Sequence, residues 1–552
     1  MNSPKTASGN TFLDLALLAV SGVAMWAAFP SLSWWFLTIP SLALLVGIID
    51  RVAPMRAAAY SAFWTMTFMM PLISWMQIAT DKTWLAWFAL AGAQAFFLAL
   101  WGLTFAAMGV WSWARTIPGE ALGGALLWVT FEVLRSRVPF GGFPWGKVSY
   151  PQVDGPLIAY APLGGEVLVA FIVFVIAVLL RRTFAIAPGP VPGPVLGRFL
   201  ALGVAALLFF VPIAVKLPTS QQAGSISVGV IQGNVEMPME ETFATPRKVT
   251  GNHARQTLEM VEAGEKPDIV FWGENAIDID PREDPETAAL VTEAVDATGV
   301  PAVVGFMEYS GDLRYNWLGV WEPGKGLTEE LYGKQHPVPW GEYIPLREVT
   351  LKLATAAAQI SVDMAAVDNP GLIQVQLSDG ETLPIAVGIC FEVAYEPIIS
   401  EGVKLGGQLI VIPTNNAHFQ DSDESVQQLQ MAQFRAAEFS RSALQISTNG
   451  VSGVIRPDGA LFAVTEVQTA DYLVASVPLR TTLTPAAVMG TVPANLVTIL
   501  GLGLGAFSVG AYVYGRTLWR GAKGATAMSP RSGRSANTSS TKKRSPQKKQ
   551  RR

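Results

Sequence analysis

Along the first 217 residues the apolar positions form long blocks; they then thin into short clusters between polar turns, and close up again near residue 493. The blocks at 12–30, 33–50, 57–78, 84–113, 120–135, 163–180 and 198–215 mostly approach the ~20 residues that a helix needs to cross a bilayer. They predict seven membrane helices. The block at 120–135 is short and carries Glu120 and Glu132. An acid inside a membrane is a functional candidate, whereas one at the interface, as Glu132 would be beside Arg135, is an ordinary anchor. Pro493–Gly515 predicts an eighth helix.

Residues 218–490 show the short β-branched runs and amphipathic stretches of an α/β domain. ISVGVIQGN (226–234), DIVFWGEN (268–275), PAVVGF (301–306), LPIAVGIC (383–390) and QLIVIPTN (408–415) predict strands. They are apolar along their length, as strands covered on both faces are. Helices are predicted at ETAALVTEAVDATG (286–299) and SVQQLQMAQFRAAEFSRSA (425–443). The chain therefore divides into membrane helices over 1–217, an inserted α/β domain over 218–490, a last membrane helix over 491–515, and a basic, Ser-rich tail over 516–552, expected to be disordered.

Composition agrees with a membrane protein. Half the residues are apolar and 15% are charged, against about 25% charged in an ordinary soluble domain. Positive charge sets the orientation, because Lys and Arg are retained on the cytoplasmic side. With the N-terminus inside, Arg51, Arg56, Arg115, Arg181, Arg182 and Arg198 fall in the cytoplasm, as do the twelve Lys and Arg residues from Arg516 onward. The loop bearing Arg135, Arg137 and Lys147 is the exception and falls outside. Seven crossings put the α/β domain on the extracytoplasmic side of a cell membrane, held at both ends. The first block is long for a cleavable signal and lacks a basic leader. The tail reads as a topological anchor, with no nucleic-acid partner expected.

Polar residues collect at the strand ends, where open α/β sheets place their sites. Glu274, Cys390 and Asn415 are at such ends, and Lys334 lies in the loop LYGKQHPVPWGEYIP (331–345). Cys390 is the one cysteine of the chain, so no internal disulfide is available. Such a thiol is either a buried small hydrophobe or a nucleophile. With a free pKa of about 8.5, it needs a base or a positive neighbour to attack at neutral pH. The sequence offers Glu274 as a carboxylate base and Lys334 as a cation. An acid after a strand is more commonly a cap or a solvated loop residue, so the conjunction carries the reading. His253, His336 and His418 also permit a Cys–His pair, with His336 inside the Lys334 segment. There is no HExxH and no paired cysteine, so no metal is expected. GLGLGAF (501–507) imitates a dinucleotide loop, but it lies in an apolar span with no strand before it and reads as helix packing.

FWGEN, YGKQHPVPWGEYIP and GICFE resemble the three signature segments of the nitrilase (carbon–nitrogen hydrolase) superfamily. GGFPWGKVSYPQVDGPL (141–157), QLQMAQFRAAEFSR (428–441) and STNGVSG resemble the apolipoprotein N-acyltransferase family, a bacterial membrane branch of it. The resemblance implies an α-helical membrane bundle of about eight helices with an αββα sandwich inserted before the last. It implies Glu274 as general base, Lys334 as stabiliser of the tetrahedral intermediate, Cys390 as acyl-accepting thiol and Glu342 as the second glutamate of the site. Phe391 and Glu392 match supporting residues, and His336, Trp340, Asn415 and His418 join them as candidates for substrate contact or support. The chain departs from the family at NVEMPMEE, which lacks a tryptophan, and at NNAHF, where relatives have Asn-Asp-Ala-Trp-Phe. Both departures bear on lid contacts and lipid preference.

The implied reaction carries an acyl chain from a phospholipid donor, through a Cys390 thioester, to the N-terminal amine of a diacylglyceryl-lipoprotein acceptor, as the last step of lipoprotein maturation. Amide formation from a thioester is downhill, so no cofactor is implied. Two other readings stand beside it. One is a membrane scaffold for a glycosyltransferase partner that acts on polyprenyl phosphate; the other is a membrane-tethered nitrilase-type amidase. The intact Glu274, Lys334, Glu342 and Cys390 set favours an enzyme over a scaffold, and the membrane half argues against a small soluble substrate. Without a coiled-coil or repeat signal, a monomer is expected.

Overall fold

The computed structural model describes residues 10–80, 83–184, 195–353 and 360–527. Helices occupy every predicted membrane block, at Thr11–Ala27, Thr38–Ile49, Pro54–Leu72, Trp84–Met108, Ile117–Arg135, Ala161–Phe184, Val195–Phe210 and Val492–Ala527. Among the described residues, five helical runs are long and apolar enough to cross a membrane: Trp84–Met108, Ile117–Arg135, Pro156–Phe184, Val195–Ala214 and Val492–Thr517. The last helix runs past the predicted bound at residue 515 and ends at Ala527. No proline interrupts that stretch, and Arg, Leu, Trp, Lys and Ala all sit readily in a helix. The rest of the predicted tail lies outside the described residues.

Acids in the bundle have partners, as an apolar surrounding requires. Glu120 accepts from Arg181 Nη1 at 2.8 Å and pairs with Arg182. Glu132 accepts the Val148 N–H at 3.0 Å and lies 3.6 Å from Arg135. Arg135 in turn donates to the Trp145 carbonyl at 2.7 Å and the Gly146 carbonyl at 3.1 Å. Two of the three glycines of GLGLGAF press on neighbouring helices: a Cβ at Gly501 would lie 1.8 Å from Thr130 Oγ1 and one at Gly505 3.0 Å from Thr104 Cγ2, whereas one at Gly503 would meet nothing within 4 Å.

Among the described residues the α/β region has two sheets. Its strands are β1 (Ser225–Gln232), β2 (Ile269–Trp272), β3 (Ala302–Ser310), β4 (Leu313–Glu322), β5 (Gly326–Gly333), β6 (Asp363–Met364), β7 (Leu372–Gln376), β8 (Thr382–Val387), β9 (Leu409–Thr414), β10 (Ser442–Ser447), β11 (Gly453–Ile455), β12 (Leu461–Val464) and β13 (Asp471–Pro478). One sheet runs β13-β1-β2-β3-β4-β5 with β6 on β4; the other runs β12-β11-β10-β9-β8-β7. β1, β2 and β3 are parallel, as are β8, β9 and β10, so each sheet has a parallel centre and antiparallel edges. The predicted strands correspond to β1, β2, β3, β8 and β9. The predicted helix 425–443 is corrected at its end: it stops at Phe439, Ser440 turns the chain at φ 52°, and Ser442 begins β10. A serine rather than a glycine makes that left-handed turn, so no breaker marks it in the sequence.

Val228, Phe271 and Val303 of the first sheet pack on Ile385, Val411 and Leu444 of the second. The helices Lys248–Glu262 and Pro285–Thr298 cover the outer face of the first sheet. Glu396–Lys404 and Glu424–Phe439 cover the second, and there the core runs on without a break into the membrane helices. Glu424–Phe439 consequently has no solvent side: every residue but Val426 is buried. Its many polar side chains must then find partners. Gln427 Oε1 accepts from the indoles of Trp75 (3.2 Å) and Trp145 (2.6 Å), while its Nε2 donates to the Leu72 carbonyl at 3.0 Å. Arg435 donates to the carbonyls of Val393 (2.9 Å) and Ala394 (3.1 Å) and pairs with Glu166 and Glu438.

Replacing Arg435 with Met takes the cation from Glu438 and leaves Glu166 with Lys147 alone at this junction. The expected cost is about 3–5 kcal/mol, or a fall of about 10 °C in the midpoint of thermal inactivation in detergent. A wild-type midpoint would deny Arg435 that role.

Candidate active site

The carboxyl ends of β2, β5, β8 and β9 meet. Glu274 follows β2, Cys390 follows β8 and Asn415 follows β9. Lys334, expected in a loop, directly follows β5 and so also stands at a strand end.

Lys334 has no exposed surface, and its Nζ donates to Glu274 Oε1 at 3.0 Å and to Glu342 Oε1 at 2.6 Å. Burial alone would strip the proton from this ammonium, but the charges of Glu274 and Glu342 outweigh it and hold the pKa well above its ordinary value. Lys334 stays a cation. Glu274, 3% exposed, also accepts the Asn316 amide on Oε1 at 2.6 Å and the Asn415 N–H on Oε2 at 2.8 Å. Glu342 Oε2 accepts the Val338 N–H at 2.7 Å.

Cys390, 9% exposed, opens the turn Cys390–Ala394 at φ 55°. A side chain with a Cβ is strained in that region, and such strain persists only where the surroundings impose it. Glu392 imposes it here. Its Oε2 accepts the Ile389 N–H (2.7 Å) and the Tyr332 hydroxyl (2.8 Å), while Oε1 accepts the N–H groups of Gln335 (2.7 Å) and His336 (2.8 Å). The cysteine turn and the lysine segment are thus clamped by one carboxylate. Burial pushes the Cys390 thiol up, the Glu274 charge pushes it further, and Lys334 opposes both. The resting group is a thiol, so a reaction at sulfur needs a proton acceptor close by.

The remaining predicted residues scatter around this centre. Phe391 turns away from the carboxylates and stacks on Trp145 (5.8 Å between centroids, 9° between planes) and Phe143 (6.2 Å). His336 stands 4.0 Å from the Tyr395 ring, and burial lowers its pKa. Trp340 is half exposed and meets Phe140 edge-on at 5.4 Å. His418 faces outward, 6.1 Å from Phe243. Asn415 joins the centre through its backbone, while its side chain accepts from Thr448 Oγ1 at 3.0 Å. His253 is buried on the inner face of the helix Lys248–Glu262, bonded to the Val249 carbonyl at 2.9 Å. Asn316 and Gln428 escaped the sequence reading. The signal for Asn316 was a lone amide inside the aromatic run RYNWLGVW; Gln428, in a helix rich in glutamine, had none.

A buried Glu–Lys–Cys centre at the strand ends of an αββα sandwich defines the nitrilase class. Residues 232–484 match the Carbon-nitrogen hydrolase family and residues 21–179 the Apolipoprotein N-acyltransferase N-terminal domain. The chain is 34% identical to the Apolipoprotein N-acyltransferase of Mycolicibacterium smegmatis, over 87% of this chain and 82% of that one. It is 30% identical to its counterpart from Azotobacter vinelandii, over 81% and 85%. A solved amidase from Nesterenkonia sp. shares 13% identity at a TM-score of 0.35, covering 48% of this chain and 94% of that one. The chain belongs to the apolipoprotein N-acyltransferase family, membrane acyltransferases of the nitrilase superfamily.

Glu392→Gln keeps the shape of the clamp but turns an NH2 toward backbone and hydroxyl donors. It should cost about 1–3 kcal/mol, seen as a lower inactivation midpoint together with slower turnover. If both stay at wild-type values, the clamp is not needed to hold the turn.

Proposed function

We propose that the protein N-acylates the N-terminal diacylglyceryl-cysteine of apolipoproteins with an acyl chain from a phospholipid, through a thioester on Cys390. The observation that carries this reading is the buried Lys334 ammonium held between Glu274 and Glu342, with its charge felt at the Cys390 thiol. In the first half-reaction Glu274 takes the thiol proton and Sγ attacks the ester carbonyl. The oxyanion develops beside the Lys334 ammonium, a fixed charge in a site that needs no reorganisation. Collapse breaks the C–O bond, and the departing lysophospholipid oxygen takes the proton from Glu274. In the second half the α-amine attacks the thioester carbonyl and gives a proton to Glu274. The C–S bond breaks, and the thiolate recovers that proton.

The cysteine turn leans on aromatic residues of the membrane half, which supports a site served by lipids, and its burial limits competition from water. In this reading eight helices span the membrane, the termini are cytoplasmic, and the catalytic domain is extracytoplasmic. The loop bearing Arg135, Arg137 and Lys147 is the exception to the charge rule in that orientation: Lys147 pairs with Glu166 and Arg135 lies beside Glu132, while Arg137 meets only the Asn495 amide. The chain works as a monomer. Anchoring a partner, such as a glycosyltransferase, would not by itself call for a buried cation between two carboxylates.

Incubation with acyl-labelled phospholipid should place label on Cys390, and a diacylated lipopeptide should then discharge it as an amide. Cys390→Ala should abolish both steps, and Lys334→Met should slow loading about a hundredfold or more. Acylation of the peptide by Cys390→Ala would overturn the mechanism, and label lost to water as fast as to peptide would point to a hydrolase.

A further inference from the structure

Gln428 takes no part in the ion cluster, yet its Nε2 lies 3.6 Å from Cys390 Sγ. An amide can present either end, and its other partners decide which one faces the sulfur. The Gly450 N–H can only donate, and it donates to Ser447 Oγ at 2.7 Å. The Ser447 hydroxyl then directs its own hydrogen to Asn416 Oδ1 at 2.6 Å. That fixes the other end of Asn416 as a donor, and Nδ2 reaches Glu424 Oε2 at 2.7 Å and Gln428 Oε1 at 3.0 Å. Thr414 Oγ1 lies 2.9 Å from the same Gln428 oxygen. Only the NH2 of Gln428 remains for the sulfur. Ser447, Asn416, Gln428 and Thr414 have no exposed surface, so water is not there to reverse the chain.

We propose that Gln428 stabilises the Cys390 thiolate by donating an N–H to Sγ, and that the relay Gly450–Ser447–Asn416 fixes that donor in place. This rests on Cys390 being the nucleophile. The need for a neutral donor follows from the local charges. Lys334 already serves two carboxylates, so a thiolate forms in surroundings where negative charge outnumbers positive. The groups acting on the thiol are Glu274 after β2, Lys334 after β5, Glu424 at the start of its helix and the hydroxyl of Thr414 at the end of β9. Burial, reinforced by Glu274 and opposed by the Asn416 hydrogen bond, raises Glu424 to about 8. Near pH 7 that acid is therefore mostly neutral, and it adds a further repelling charge only as pH climbs through 8. A hydrogen bond to an ionised sulfur is stronger than one to the thiol, which shifts the equilibrium toward the thiolate.

The test is the pH profile of Cys390 alkylation by iodoacetamide in the purified full-length chain in detergent, for wild type, Gln428→Met and Gln428→Glu. Alkylation needs no lipid. It reads Gln428 even where no acyl label forms on Cys390, a result that would count against the acyltransferase mechanism alone. Gln428→Met, without a donor, should raise the midpoint by about one pH unit, a tenfold loss of thiolate below it. Gln428→Glu keeps an oxygen for Asn416 but turns another toward the sulfur, and should raise the midpoint further. Midpoints at or below the wild-type value in these variants overturn the proposal, and so does a fall in rate at all pH values with the midpoint unmoved. Should Gln428→Met fail to fold, Gln428→Glu, which keeps the native shape, decides the question alone.

Discussion

An ammonium taken wholly out of water is costly unless opposite charge and hydrogen bonds surround it, and Lys334 is such a group. Glu274 and Glu342 supply the charge. Glu274 can do so only because Asn316 and the Asn415 backbone hold it in turn. Those residues come from β4 and from the end of β9, one in each sheet. The ion cluster is therefore a stitch between the two sheets at the edge where their strands stop, and the cysteine turn is fastened to the same stitch by Glu392.

The helix Glu424–Phe439 is the second element on which the arrangement turns. A helix on the outside of a sandwich ordinarily keeps a wet face; this one is covered by the second sheet on one side and by the membrane bundle on the other. Adjacent glutamines divide the work. Gln427 ties the helix to Trp75, Trp145 and a membrane-helix carbonyl, and Gln428 reaches back to the sulfur. Polar side chains in a dry layer are costly unless satisfied, and here their satisfaction couples the membrane half to the Cys390 sulfur.

What the sequence made legible follows from these physical constraints. β1, β2, β3, β8 and β9 lie covered on both faces, so they stand out as unbroken apolar runs. Strands such as β4 and β5, with partly exposed faces, alternate with polar residues and merge into their turns. β10 was hidden because a helix runs into it with only Ser440 and Arg441 between them. In the site, Glu274, Lys334, Glu342, Glu392 and Cys390 were readable because charge and sulfur in fixed local segments carry a chemical signature. Asn316 and Gln428 were not, since a neutral amide declares a role only once its partners are known. His336 and Trp340 share the lysine segment, and His418 follows β9, but all three turn toward other contacts, because a place in the chain fixes a backbone position and leaves side-chain direction to packing.

The stack of Phe391 on Trp145 has a consequence for modularity. The turn bearing the thiol rests on a ring from a loop made some 245 residues earlier in the chain. Synthesis order suits that dependence, since the supporting loop leaves the ribosome long before the turn that leans on it. Excised from its hydrocarbon-side neighbours, the sandwich would carry a bare aromatic face and the apolar flank of a helix built to be enclosed, a surface that invites self-association. The nitrilase half is thus not a portable cassette: the face it turns to the bundle must stay covered for the thiol turn to keep its support.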